Sequence, residues 1–88
     1  MKIEFYNVGD EEGKKIKEFL TKNNLPFNEI ITDDVNLLDK VRQARISTKV
    51  SLLRIFYSSS IHIIGGYNEL ALNQLIEHIE KYKLKMRH

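Results

Sequence analysis

Lys2-Ile3-Glu4-Phe5-Tyr6-Asn7-Val8-Gly9-Asp10-Glu11-Glu12-Gly13-Lys14-Lys15-Ile16-Lys17-Glu18-Phe19-Leu20 is the stretch that decides the fold. Ile3 and Phe5 alternate with Lys2 and Glu4, the period-2 pattern of a strand with one buried face. Val8-Gly9-Asp10 breaks that pattern. Asp10 is a good N-cap, and Asp10, Glu11 and Glu12 put negative charge where a helix dipole favours it. Ile16, Phe19 and Leu20 then recur at i, i+3, i+4, which predicts a helix to about Asn23 with Lys14, Lys15, Lys17 and Glu18 largely on its wet side.

Working outward, Asn23-Asn24 is a helix stop and Pro26 cannot continue a helix. Phe27 to Thr32 reads as a second strand. Asp33 and Asp34 are expected to cap a second helix running to about Arg45, with Leu37, Leu38, Val41 and Ala44 as its apolar stripe. Ser51 to Tyr57 and Ile61 to Ile64 read as strands joined by the short loop Ser58-Ser59-Ser60. Gly65-Gly66 ends the second of them. Asn68 caps a last helix in which Leu72, Leu75, Ile76 and Ile79 keep helical spacing. The order β-α-β-α-β-β-α places the chain in the α/β class. The first β-α-β unit predicts a parallel pair with a right-handed crossover, and the hairpin adds antiparallel strands. The result is a four-stranded mixed sheet with three helices distributed over both faces. Residues 1–82 form one domain in this reading, and 83–88 a basic tail.

The 88 residues, 42% hydrophobic and 30% charged, suit one ordinary globular domain. There is no cysteine. Disulfides, thiolate-bound zinc or iron–sulfur clusters and a cysteine nucleophile are therefore excluded. No apolar run approaches the ~20 residues of a membrane span, and the opening residues do not read as a leader, so a cytoplasmic protein without membrane contact is expected. Residues 1–39 hold five lysines against nine acids, and residues 40–88 hold nine basic residues against three acids. Such an asymmetry is either a surface for an anionic partner or, more simply, a solvated face. Arg42, Arg45, Lys49 and Arg54 are its candidate basic surface.

Three segments carry a family resemblance: Lys14-Lys15-Ile16-Lys17-Glu18-Phe19-Leu20, Leu25-Pro26-Phe27-Asn28-Glu29-Ile30 and Ile64-Gly65-Gly66-Tyr67-Asn68-Glu69-Leu70. In this order they resemble the glutaredoxins, over roughly residues 2–80. The resemblance implies a thioredoxin-like fold of the glutaredoxin type. It also implies that Asp10-Glu11-Glu12-Gly13 stands where the family has Cys-x-x-Cys, the two redox cysteines falling at Asp10 and Gly13. Before the third strand, where the family has a cis-proline, the chain has Ser51. A cis bond without proline costs about 2.5–4 kcal/mol, so a trans peptide is expected there. The hairpin within Leu52 to Ile64 is longer than the family pattern.

The same resemblance implies a ligand or partner face made of Lys14, Val50, Ser51, Gly65, Gly66, Tyr67 and Asn68, the positions matching the family's glutathione contacts. Asp10, Glu11 and Glu12 would repel the carboxylates of glutathione, so glutathione is not the expected ligand. On the residues alone, Asn68 is a helix cap, and the acidic trio caps a helix rather than forming an acid–base pair. His62 and His78 lack the further ligands of a metal site, and Ser58 to Ser60 is a turn. No catalytic residue, metal or cofactor is expected. Phe56 and Tyr57, with Arg54 and Lys49, could grip a single-stranded nucleic acid, but alternate residues of an inner strand are usually core, and Phe56 is expected there. The functional expectation is a non-redox binding module with another protein as its partner. Its contact face would be Val8 to Gly13, Thr48 to Ser51 and Gly65 to Asn68. The alternatives are a glutathione-dependent protein using the old cleft without its own cysteine, and a weak binder of nucleic acid or another anionic partner through the basic second half.

Overall fold

The alternation at the start of the chain produces β1 (Lys2–Asn7), and the periodic segment after Asp10 produces α1 (Glu11–Lys22). In the computed structural model, which describes residues 1–42 and 49–86, five further elements follow. They are β2 (Asn28–Ile31), α2 (Val35–Arg42), β3 (Leu52–Phe56), β4 (Ile61–Gly65) and α3 (Glu69–Met86). The strands form one four-stranded sheet in the order β2-β1-β3-β4. β1 and β2 are parallel, with Phe5 beside Glu29 and Tyr6 beside Ile30. β3 runs antiparallel to β1, with Phe5 opposite Leu53, and β4 antiparallel to β3, with Leu53 opposite Ile64. The fold is thus α/β with a mixed sheet and three helices.

Helices cover both faces. On one, Ile3, Phe5, Leu53, Ile55 and Ile64 of the sheet pack with Ile16 and Leu20 of α1 and Leu72, Leu75 and Ile79 of α3. On the other, Tyr6 and Leu52 pack with Leu38 and Val41 of α2. The alternation in β1 breaks at Tyr6 because both faces are covered at that end of the strand. α1 closes with the Asn23 N–H on the Phe19 carbonyl (3.1 Å). Asn24 follows at φ 54°, a left-handed position that asparagine tolerates. Of the two aspartates before α2, Asp34 makes the cap: its Oδ1 accepts from the amides of Asn36 (3.0 Å) and Leu37 (3.4 Å).

Two differences from the sequence reading concern the ends and faces of elements, and the expected continuation of α2 to about Arg45 falls beyond the described stretch. α2 is described to Arg42, so Ala44 and Arg45 lie outside the described residues. α3 continues to Met86, so residues 83–86 belong to the last helix rather than to a tail. Phe56 is only half-buried, because the cluster around α2 stops at Tyr6 and Leu52. Beyond that cluster the same face carries a polar ladder instead. Arg54 donates from Nε (2.8 Å) and Nη2 (2.6 Å) to Glu4 Oε1, and its guanidinium lies 4.9 Å from the centre of the Phe56 ring. Among the described residues there is no cis peptide and no helix long and apolar enough to cross a membrane.

Leu53, wholly buried in the second central strand, tests this core. Leu53→Ala is expected to lower the unfolding free energy by about 2–5 kcal/mol. Leu70→Ala, at a side chain 70% exposed, should change it by no more than about 0.5 kcal/mol. Urea unfolding followed by circular dichroism reads both.

Candidate functional site

Ser51, at the start of β3, is a fully buried polar side chain, and its hydrogen bonds organise the site. Its hydroxyl donates to Asp10 Oδ1 (2.6 Å) and accepts from the Val8 N–H (3.0 Å). Its own N–H donates to Asp10 Oδ2 (3.2 Å), and its carbonyl accepts from the Gly66 N–H (2.8 Å). One residue thereby joins the loop after β1, the start of α1, the start of β3 and the turn before α3. Asp10 completes the arrangement by accepting from the Gly13 N–H (2.8 Å), which is its N-cap bond. Burial pushes the Asp10 carboxyl up, but hydrogen bonds from the Ser51 hydroxyl and the Gly13 and Ser51 amides outweigh it and hold the carboxyl below the ordinary aspartate range.

The loop itself is shaped by Gly9, at φ +83°, whose N–H donates to Asn7 Oδ1 (2.8 Å). Asn7 Nδ2 reaches across to Glu29 Oε2 (2.9 Å), and Glu29 in turn pairs with Lys17 Nζ (3.1 Å). On the other side of the site, Glu12 Oε2 accepts from the Tyr67 N–H at 2.6 Å. Gly66 sits at φ +72°, and a Cβ there would come 3.6 Å from Val50 Cγ2 and 3.7 Å from Glu12 Oε2. Lys15 Nζ lies 5.9 Å from the centre of the Tyr67 ring. Asn68 Oδ1 caps α3 by accepting from the Ala71 N–H (3.1 Å).

The structure therefore brings together Val8 to Gly13, Lys49 to Ser51 and Gly65 to Asn68, the three segments singled out from the sequence; Thr48 lies outside the described residues. Lys14 and Glu11 are exposed at the same helix end. The acidic loop is not a set of free charges in a cleft, because Asp10 and Glu12 are both engaged by donors. Asp10 and Gly13 differ in kind. Asp10 carries a side chain that is fully used. Gly13 has no room for one: a Cβ there would lie 2.5 Å from Ser51 Oγ and 2.6 Å from Asn7 Oδ1.

The basic surface is not assembled in the same way. The Arg42 side chain and Arg45 lie outside the described residues, Lys49 is exposed, and Arg54 is committed to Glu4. Phe56 and Tyr57 point to opposite faces of the sheet. Phe56 stacks under Arg54, while Tyr57 meets His62 (4.9 Å between ring centres) and His78 (4.5 Å) on the side of α3. The two histidines thus share one tyrosine ring. Among the described residues, however, no group of three or more His, Cys, Asp or Glu could hold a metal ion. Sequence reasoning missed the Ser51–Asp10 and Glu12–Tyr67 bonds, whose partners are 41 and 55 positions apart and leave no local signal. Compared with known proteins, the chain matches no family model, no curated protein and no solved structure.

Two substitutions probe this site. Asp10→Asn is expected to cost about 1–3 kcal/mol at neutral pH, by weakening acceptance from a buried hydroxyl and two amides. The folded pKa of Asp10 lies below its unfolded value, so its contribution is present above about pH 3.9 and is lost as pH falls through the folded pKa. The urea midpoints of wild type and Asp10→Asn should therefore converge in acid. Gly13→Ala should destabilise by about 1–3 kcal/mol through overpacking, although Ala for Gly inside a helix ordinarily gains about 1 kcal/mol.

Proposed function

We propose that this chain is a non-redox binding module on a thioredoxin-like fold of the glutaredoxin type. Its contact face is the surface formed by Val8 to Gly13, Lys49 to Ser51 and Gly65 to Asn68. The sheet order β2-β1-β3-β4, with one parallel and two antiparallel pairs, is compatible with that fold. The observation that carries the functional reading is the Asp10 carboxylate. It stands where the resemblance calls for a thiolate, and the Ser51 hydroxyl and the Ser51 and Gly13 amides hold it in place. Such a group caps and ties. It cannot attack a disulfide, since exchange requires a thiolate.

What the face offers instead is recognition. Leu70 is exposed beside the turn, Val50 and Tyr67 are half-buried, and Lys14 and Lys15 are exposed on the adjoining helix. This mixture suits a protein partner that presents apolar side chains and carboxylates. The glutathione reading is weaker, because the Tyr67 amide at the turn is already taken by Glu12. The nucleic-acid reading is weaker because Arg54 is paired with Glu4, and Phe56 and Tyr57 are on opposite faces.

A coupled glutathione assay should show no disulfide reductase turnover. Glutathione at millimolar concentration should leave the amide resonances of Val50, Gly66, Tyr67 and Asn68 unmoved; saturable shifts confined to those four would restore the glutathione reading. For the partner, a photo-crosslinking residue at Lys14 or Asn68 should capture one discrete protein from a lysate of the source organism, and the same residue at Asn28 should not. Identical capture from all three positions would remove the face from consideration.

A further inference from the structure

The two outer strands of the sheet are unequal. β2 begins just after Pro26 and carries Glu29, held by Lys17 and Asn7. Charge and proline are the usual means by which a natural edge discourages further pairing. β4 has neither. Its residues are Ile61-His62-Ile63-Ile64-Gly65, with no acid, lysine, arginine or proline, and Ile61 is 55% and Ile63 36% exposed. Among the described residues no strand lies beyond it.

The hydrogen-bond phase of the hairpin shows which backbone groups point outward. The Tyr57 N–H donates to the Ser60 carbonyl (2.8 Å) and the Gly66 N–H to the Ser51 carbonyl (2.8 Å). Facing residues of an antiparallel pair alternate between bonded and non-bonded. With Ile55 opposite His62 and Leu53 opposite Ile64, those two pairs fall in the bonded set. His62 and Ile64 therefore turn their N–H and C=O groups to β3. Ile61, Ile63 and Gly65 turn theirs to the open edge.

We propose that β4 pairs antiparallel with β4 of a second copy of this chain, about a two-fold axis through Ile63, joining two four-stranded sheets into one. In that register Ile63 faces Ile63, Ile61 faces Gly65 and His62 faces Ile64 of the second copy. Every outward backbone group of Ile61, Ile63 and Gly65 finds a partner, and no like charges are brought opposite one another. Gly65 offers no side chain against Ile61, so the exposed isoleucine lies along the joined sheet unobstructed. A two-fold contact is self-complementary and closed. It consumes both unguarded edges and leaves at the ends of the joined sheet only the β2 edges, which carry Pro26 and Glu29. The contact shares only Gly65 with the proposed partner face, so the two are separable.

The test uses the full chain. Sedimentation equilibrium over a concentration series should give a mass rising to twice 10.4 kDa. Ile63→Lys, a charged residue on the edge, should abolish the dimer at every concentration while leaving the circular dichroism spectrum unchanged and, at dilutions where the wild type is monomeric, the urea midpoint as well. Because the chain has no cysteine, Ile63→Cys gives an independent reading. Facing Cα atoms of a bonded antiparallel pair lie about 5.5 Å apart, inside the roughly 7 Å limit for a disulfide. Mild oxidation should then yield a covalent dimer, whereas Asn28→Cys on the β2 edge should stay monomeric. A wild type that is monomeric throughout overturns the proposal. So does a dimer indifferent to Ile63→Lys, equal bridging at positions 28 and 63, or growth beyond a dimer.

Discussion

The buried hydroxyl of Ser51 is the contact on which one end of the molecule depends. It lies where β1, α1, β3 and the turn into α3 converge, and each of the four is bonded to Ser51 directly or through Asp10. A buried hydroxyl without partners would cost about 1–3 kcal/mol. Here the cost is offset because its donor and acceptor capacity are both used, with a carboxylate as the acceptor. In a domain of 88 residues, where net stability is a few kcal/mol, such a cluster weighs heavily. It also bears on the glycines around it. Gly13 must be small because Ser51 Oγ and Asn7 Oδ1 fill the space a Cβ would need. Gly66, whose N–H donates to the Ser51 carbonyl, stands in the left-handed conformation that glycine adopts freely as the chain turns towards α3.

The same cluster limits what the site can do chemically. Asp10 lies at a helix N-terminus, where a thiolate would be activated and a carboxylate is merely stabilised. Its oxygens are directed inward, to Ser51 and Gly13, rather than towards an incoming ligand. Glu12 closes the turn amide of Tyr67 in a comparable way. Both carboxylates are thus part of the framework that ties the loop, the helix start and the turn together.

The second organising feature is the uneven cover of the sheet. α1 and α3 together bury one face, while among the described residues the cluster under α2 covers the other around Tyr6, Leu52 and Ile30. Beyond that cluster the same face carries Glu4, Arg54 and Phe56 as a bonded and stacked ladder. An arginine that looks available for an anionic partner in sequence is thus spent on its neighbour across the β1–β3 pair.

Much of the fold was legible without coordinates because its signals are local. The alternation of Ile3 and Phe5, the spacing of Ile16, Phe19 and Leu20, the capping side chains of Asp10, Asp34 and Asn68, and the stops at Asn23-Asn24 and Gly65-Gly66 all act within a few residues. Chain order and the rules of crossover and hairpin then led to a mixed sheet with helices on both faces. The three segments that meet around Ser51 were also singled out from the sequence. What they do to one another was not legible there. That Ser51 bonds Asp10, that Glu12 takes the Tyr67 amide, that Gly13 has no space, and that Phe56 and Tyr57 part company across the sheet depend on residues distant in sequence. A hydrogen bond between positions 41 apart is invisible until the chain has folded. The sequence by itself determined that this protein has strands and helices in this order and no thiol to react with. Only the tertiary structure decided that the loop around Asp10 is bonded shut, because only there do Asp10 and Ser51 come within reach.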